Sequence, residues 1–237
     1  ILELRMRTLF INKKVFLYTT ATTVLFIFYF AIVLSIRNSA TKSSRRLQST
    51  KKLKTILYKV NGPLDRKNDE RIFFHEASGN NYLSLRQACA VESAAFHNPN
   101  RQIQLLMHTL EAPNCCSQWY QVLANYSNVE VVMVDDRKYF NNTPLENWYF
   151  TGKWKQSRFR TEHFADYLRM LTVAKGGGLY LDLDYIVLKP LDSSKLANFF
   201  VLEDDKANVF GNSVFHLQHN HPLAKMVIQH LVNDYDP

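Results

Sequence analysis

Glycine and cysteine are scarce in this chain, and several common cofactor signatures are missing with them. The seven glycines form no Gly-x-Gly-x-x-Gly run and no phosphate loop ending in Lys and Ser or Thr. That argues against a dinucleotide-dependent oxidoreductase and a P-loop nucleotide triphosphatase. The three cysteines, Cys89, Cys115 and Cys116, contain no Cys-x-x-Cys, which removes the usual zinc site. They allow one disulfide, from Cys89 to either member of the vicinal pair, and leave one thiol over. A nucleophile elbow and internal repeats are absent too.

Acidic residues are nearly missing from the amino-terminal part. Residues 1–14 hold four Lys or Arg against Glu3, and residues 37–67 hold ten against Asp65. These contributions of +3 and +9, set against a total of +8, leave residues 68–237 at −4. A nucleic-acid binder would carry its basic surface on the folded domain, so no nucleic-acid partner is expected. Between the basic stretches, residues 15–36 (VFLYTTATTVLFIFYFAIVLSI) hold no charge. The run is long enough to cross a hydrocarbon core of roughly 30 Å as a helix, and it exceeds a usual signal-peptide core. The expected organisation is a tail (1–14), a single transmembrane anchor (15–36), a solvated basic stem (37–68) and one α/β domain (69–237). By the positive-inside rule alone, the more basic stem would leave the domain in the cytosol. Two sequons, Asn125-Tyr126-Ser127 and Asn141-Asn142-Thr143, point to glycosylation at Asn125 and Asn141 in a lumen.

The most informative stretch is Leu179 to Lys189, LYLDLDYIVLK, an apolar β-prone run behind three glycines. Read as a strand, it puts Asp182 and Asp184 on one face with Tyr180, Ile186 and Leu188. Two buried like charges repel and lose hydration, so a proton or a cation must neutralise them. Carboxylate oxygens suit Mn²⁺ or Mg²⁺, which keep positions open for substrate phosphates. Upstream, residues 163–178 place Phe164, Leu168, Leu171 and Val173 as on a helix packed against a sheet, and Gly176 to Gly178 stop it. Further strands are expected at Arg71–Phe74, Ile103–His108 and Val129–Asp135, and a helix at Leu83–Ala95. Residues 138–160 lack a period and read as a loop, with Trp148, Tyr149 and Trp154 packing rather than stacking on sugar. His216, His219 and His221 have a metal-like spacing, which a polar turn before Pro222 explains as well.

The run D-x-x-R-x-x-x-x-x-K-x-G-G-x-Y-x-D-x-D, carried by Asp166, Arg169, Lys175, Gly177, Gly178, Tyr180, Asp182 and Asp184, resembles the donor site of the α-1,4-glycosyltransferases. IFFHEAS (72–78), CAVESAA (89–95) and YIVLKPL (185–191) also resemble that family, and the likeness is collinear over roughly residues 71 to 235. It implies a GT-A type, Rossmann-like nucleotide-sugar domain using a metal and a UDP-sugar. Asp182 and Asp184 would hold Mn²⁺ or Mg²⁺. Phe74, Glu76, Asp166, Arg169, Gly177, Gly178, Tyr180 and Asp182 would meet the donor. An intrahelical salt bridge is the plain alternative for Asp166 and Arg169. Glu203, Asp204, Asp205 and Asn212 are the catalytic candidates.

The implied activity is retaining transfer of galactose or N-acetylgalactosamine, in α-1,4 linkage, to a glycolipid or glycan acceptor. The implied location is the Golgi membrane, type II, with the domain in the lumen. The family continues past the equivalent of Pro237 with a Gly-rich segment and a His-x-Trp-x-x-Ser segment whose His completes the metal shell. The alternative expectation is therefore a membrane-tethered, catalytically inactive fragment or pseudoenzyme that binds sugar or a partner.

Overall fold

A computed structural model describes residues 54–57, 64, 67–109, 111, 118–192, 196–204, 206 and 209–235. Four short apolar runs form its central strands: β2 (Ile72–Glu76), β3 (Ile103–Met107), β4 (Val129–Met133) and β5 (Gly178–Leu181). All are buried along almost their whole length, as strands covered on both faces must be. They pair in parallel, with β1 (Lys54–Leu57) outside β4. Two antiparallel strands, β7 (Val209–Leu217) and β6 (Phe199–Asp204), extend the other edge. The order is β1-β4-β3-β2-β5-β7-β6. β1 lies within the span expected as stem, so the sheet reaches back into residues 37–68.

Period-two alternation divides the core. Ile72, Phe74, Leu105, Val131, Leu179 and Leu181 pack with α1 (Leu85–His97) and α2 (Gln118–Leu123). Phe73, Leu106, Val132 and Tyr180 pack on the opposite side with α5 (Arg160–Gly176) and α6 (Pro222–Asn233). Ser84 starts α1 with a reciprocal cap: its hydroxyl accepts from the Gln87 N–H at 3.3 Å, and the Gln87 side chain accepts from the Ser84 N–H at 2.8 Å. Phe164, Leu168, Leu171 and Val173 face the core as expected. Gly177 ends α5 with φ 74° and an N–H bonded to the Val173 carbonyl.

Residues 138–160 are not the loop that their missing period suggests. They hold the end of α3 (Asp136–Phe140), α4 (Glu146–Thr151) and a 3₁₀ turn (Lys153–Gln156). Elements this short cannot complete the two turns that make a helical period visible. Aromatic stacking holds them to α5. Trp148 stacks on Tyr167 at 3.9 Å and on Trp154 at 5.5 Å, and Trp154 stacks on Phe164 at 4.8 Å. Both tryptophans are buried, so packing is their role.

Among the described residues no helix is long and apolar enough to cross a membrane, and residues 15–36 lie outside them. Cys115 and Cys116 do too; Cys89 is a free thiol among the described residues.

Candidate active site

From β2 the chain adds β3 and β4 on one side, while β5 joins β2 on the other. This is a topological switch point, and in open α/β sheets the crevice for ligands lies there, outside the carboxyl ends of the strands. Glu76 ends β2, and Asp182 follows β5 directly.

The strand expected to run from Leu179 to Lys189 stops at Leu181. The Asp182 N–H makes a last rung to the Ser213 carbonyl at 2.9 Å, and the Tyr185 N–H then closes a turn onto the Asp182 carbonyl at 3.1 Å. Beyond it the chain leaves the sheet and crosses α1. The Val187 N–H donates to Ser93 Oγ at 3.0 Å and the Leu191 N–H to Asn98 Oδ1 at 2.8 Å. Tyr185, Ile186 and Leu188 are consequently exposed, not buried as the strand reading required. Strand alternation therefore does not align Asp182 with Asp184. A turn connects them, and the exposed Asp184 carboxylate still raises the Asp182 pKa.

Arg169 organises the surroundings of Asp182. Its Nη1 lies 3.2 Å from Asp182 Oδ1 and donates to the Asn212 carbonyl and Asn212 Oδ1, each at 3.0 Å. Its Nη2 lies 3.3 Å from Asp166 Oδ1, and its Nε donates to the Ala165 carbonyl at 3.2 Å. Asn212 Nδ2 closes the ring by donating to Asp166 Oδ1 at 3.0 Å. The Tyr180 hydroxyl donates to Asp182 Oδ1, and its ring lies 4.8 Å from the guanidinium carbon. The intrahelical salt bridge is thus present, but the same guanidinium also ties α5 to the ends of β5 and β7.

Burial pushes the Asp182 carboxyl above its usual range against the pull of Arg169 and Tyr180; Asp184 and Asp166 push the same way. Burial raises Asp166 as well. Because both groups hold protons more tightly in the folded state, their ionisation lowers stability as pH rises from the unfolded value of 3.8 through the raised folded value. Without metal, Asp182→Asn is expected to melt higher than the parent at pH 7. The gap should close as the pH falls below about 4. Thermal melts across pH check this, and a lower melting point for the variant at pH 7 would contradict it.

Glu76 is buried, and its two oxygens differ. Oε1 accepts from the Ser78 N–H at 3.3 Å and from the Ser78 hydroxyl, whereas Oε2 is buried with no partner among the described residues. Such an orphan acceptor is costly unless a ligand supplies a donor. Its neighbour on that side is Tyr120, of the α1-side core, whose hydroxyl pKa the Glu76 charge helps to raise. A separate cavity of about 370 Å³ lies on the α5 side, walled by Ser78, Gly79, Tyr149, Trp154 and Phe164.

Three residues expected at the donor stand apart from Asp182. Phe74 is fully buried in the core on the α1 side and offers no surface to a ligand. Gly177 and Gly178 lie at the amino end of β5, opposite the crevice, because the strand separates them from Asp182. Their role is steric: a Cβ on Gly177 would stand 2.3 Å from Asp69 Oδ1, and one on Gly178 would stand 2.7 Å from the Arg71 carbonyl. Among the described catalytic candidates, only Asn212 is brought to Arg169. Glu203 and Asp204 are exposed on β6, the outermost strand, with β7 between them and β5. Asp205 lies outside the described residues.

The histidines of 216–221 do not converge. His216 is buried between the Ala197 and Asp69 carbonyls, and His221 caps α6 by accepting from the Leu223 N–H. A buried relay went unread in the sequence: Asp136 Oδ1 to His108 Nδ1 at 2.7 Å, His108 Nε2 to His75 Nδ1 at 2.7 Å, and His75 Nε2 to Thr172 Oγ1 at 3.0 Å. Burial, then His108, Arg169 and Arg71, hold the His75 pKa well below the usual value, so the ring is neutral. Its members lie 28 to 97 residues apart, and the only sequence hint was a histidine near the end of two neighbouring strands. Asn125 and Asn141 are both exposed, as glycosylation acceptors must be.

Asp166 and Asp182 pair with one guanidinium, and the exposed Asp184 acts on Asp182 through its charge. With all three ionised, two negative charges stay uncompensated, which matches one divalent cation. Among the described residues no three His, Cys, Asp or Glu side chains converge to hold a metal. Two hard carboxylates fit an ion such as Mg²⁺ or Mn²⁺ that completes its shell with water and substrate phosphate.

Residues 84–200 match a family described as the glycosyltransferase sugar-binding region containing a DXD motif. The chain is 29% identical over 168 residues to lactosylceramide 4-alpha-galactosyltransferase of Homo sapiens, covering 70% of this chain and 46% of that protein. It is 25% identical over 154 residues to alpha-1,4-N-acetylglucosaminyltransferase of Homo sapiens, covering 63% and 44%. The chain thus spans about half the length of the curated relatives it matches. Among solved structures, the PaToxG glycosyltransferase shares the fold, with a TM-score of 0.57 at 18% identity over 74% of this chain and 67% of that one.

Proposed function

From the premise that this chain resembles the α-1,4-glycosyltransferases and carries their DXD-containing sugar-binding region, we propose that it forms the donor-binding part of a metal-dependent hexosyltransferase. The reaction is retaining transfer of galactose or N-acetylgalactosamine from a UDP-sugar, in α-1,4 linkage, to a glycolipid or glycan hydroxyl. The single observation that carries this reading is the Asp166–Arg169–Asn212–Asp182 ring at the switch point, beside the turn that bears Asp184. A structural salt bridge would not need an excess of two carboxylates.

Asp182 and Asp184 would hold the divalent cation, which when bound supplies positive charge to the diphosphate leaving group. Arg169 offers a planar fork, held in place by Asp166 and Asn212, to oxygens of the phosphate or sugar. Tyr180 orients the Asp182 carboxylate through its hydroxyl. Glu76 Oε2 accepts an N–H or O–H of the nucleoside half. The acceptor approaches from the far side of Asp166 and Asn212, which line a cavity of about 890 Å³ walled by Phe199, Phe200, Leu223 and Val227.

The uncharged run 15–36 and the two exposed sequons support a single-pass type II protein of the Golgi membrane with a luminal domain. The test is Mn²⁺-dependent cleavage of UDP-galactose against UDP-N-acetylgalactosamine, with UDP binding measured alongside. Cleavage of either donor is expected. Binding without cleavage would leave a sugar-binding pseudoenzyme, and loss of both would sink the reading.

A further inference from the structure

The Arg169 guanidinium stands where positive charge is needed most. It is the only Lys or Arg paired with Asp166 or Asp182 among the described residues. Its attachments are unequal in kind. Nε to the Ala165 carbonyl and Nη1 to the two Asn212 oxygens fix the group to α5 and β7 without Asp182. The contacts to Asp182 run 3.2 Å to Oδ1 and 3.4 Å to Oδ2, longer than the usual 2.7–2.9 Å of charge-assisted bonds. The Asp166 contact is no shorter at 3.3 Å, but Asp166 lies three residues back on the same helix and is also held by Asn212. Asp182 is therefore the partner that Arg169 can release while keeping its position.

Both oxygens of Asp182 are engaged in this state, Oδ1 by Tyr180 and both by Arg169. A cation that binds Asp182 must share or displace the guanidinium, since two positive groups at one carboxylate repel each other. Resting on the reading above, we propose that Arg169 is the built-in counter-ion of Asp182 in the cation-free protein. It gives up Asp182, keeping Asp166 and Asn212, when a divalent cation binds there. The two Nη1 N–H groups serve four acceptors in this state. The exchange removes the Asp182 oxygens and lets one N–H be shared with an oxygen of the nucleotide-sugar, so cation and donor binding are coupled through one side chain. It also explains how a half-buried acid cluster stays folded without metal.

The counter-ion role makes a prediction of unusual sign. Mn²⁺ binding to the full chain, measured without nucleotide from the resonance signal of the free ion, should tighten at least about tenfold in Arg169→Met. UDP-galactose binding at saturating Mn²⁺ should weaken in the same variant. Arg169→Lys keeps a charge on α5 but cannot fork across Asp166, Asn212 and Asp182, so its Mn²⁺ affinity should fall between the two. A side chain that served only to hold α5 to β7 would weaken both ligands on removal. If the lysine variant keeps its circular dichroism and binds Mn²⁺ no tighter than the parent, the counter-ion role is overturned while the metal site stands. If Asp182→Asn leaves Mn²⁺ binding unchanged, the metal reading is wrong and this inference falls with it.

Discussion

Asp184→Ala is expected to reduce UDP-sugar cleavage in the presence of Mn²⁺ by about a thousandfold, on the order of 4 kcal/mol of transition-state stabilisation. Asp184 is exposed and makes no hydrogen bond or ion pair among the described residues, so the fold draws little from it. Its effect on the structure is electrostatic, as one of the acids that raise the Asp182 carboxyl. A surface change of this kind alters stability by no more than about 0.5 kcal/mol, so the melting temperature should stay within a few degrees. Activity and stability then separate cleanly. A loss below about tenfold, with Mn²⁺ affinity intact, would show that the acid pair does not carry the leaving-group charge. The substitution tests the site directly because, among the described residues, Asp184 acts only through its charge on Asp182.

Gly177→Ala reverses that pattern. Its backbone lies at φ 74°, where a side chain strains the chain, and a Cβ would stand 2.3 Å from Asp69 Oδ1 and 2.6 Å from the His219 nitrogen. Those two atoms bond to each other at 2.6 Å, joining the segment before β2 to the turn before α6. Strain at the backbone and loss of this bond together should cost about 3 kcal/mol. Chemical denaturation should show it as a lower midpoint at unchanged slope. UDP affinity per folded molecule should remain that of the parent, because the strand β5 separates Gly177 from the crevice. A loss of UDP affinity without a loss of stability would restore the donor-binding role that the motif alone suggested.

Much of the fold was legible because its signals are local. The apolar runs at β2, β3 and β4 read directly as buried strands, and the spacing of Phe164, Leu168, Leu171 and Val173 read as α5. The segment after Leu181 misled because Tyr185, Ile186, Val187 and Leu188 are as β-prone as the strand before them. Where a strand ends depends on its neighbours. β7 offers Val214 as its last paired residue opposite Leu181, and Asp182 then turns away with its N–H on Ser213. The His75–His108–Asp136 relay was invisible for the same reason: adjacency across parallel strands leaves no trace in sequence spacing.

The sequence by itself determined which residues make up the proposed site: the carboxylates of 166, 182 and 184, the guanidinium of 169 and the glutamate of 76. Each residue type, with the glycine stop between helix and strand, limits what can bind. Only the tertiary structure decided which of them meet. Packing of α5 across β5 and β7 brings Arg169 to Asp182 and Asn212, and it leaves Phe74, Gly177 and Gly178 on the wrong side or at the wrong end of the sheet. Charge neutralisation and hydrogen bonding act over a few ångströms of space. Chain separation does not encode that distance once a sheet has folded.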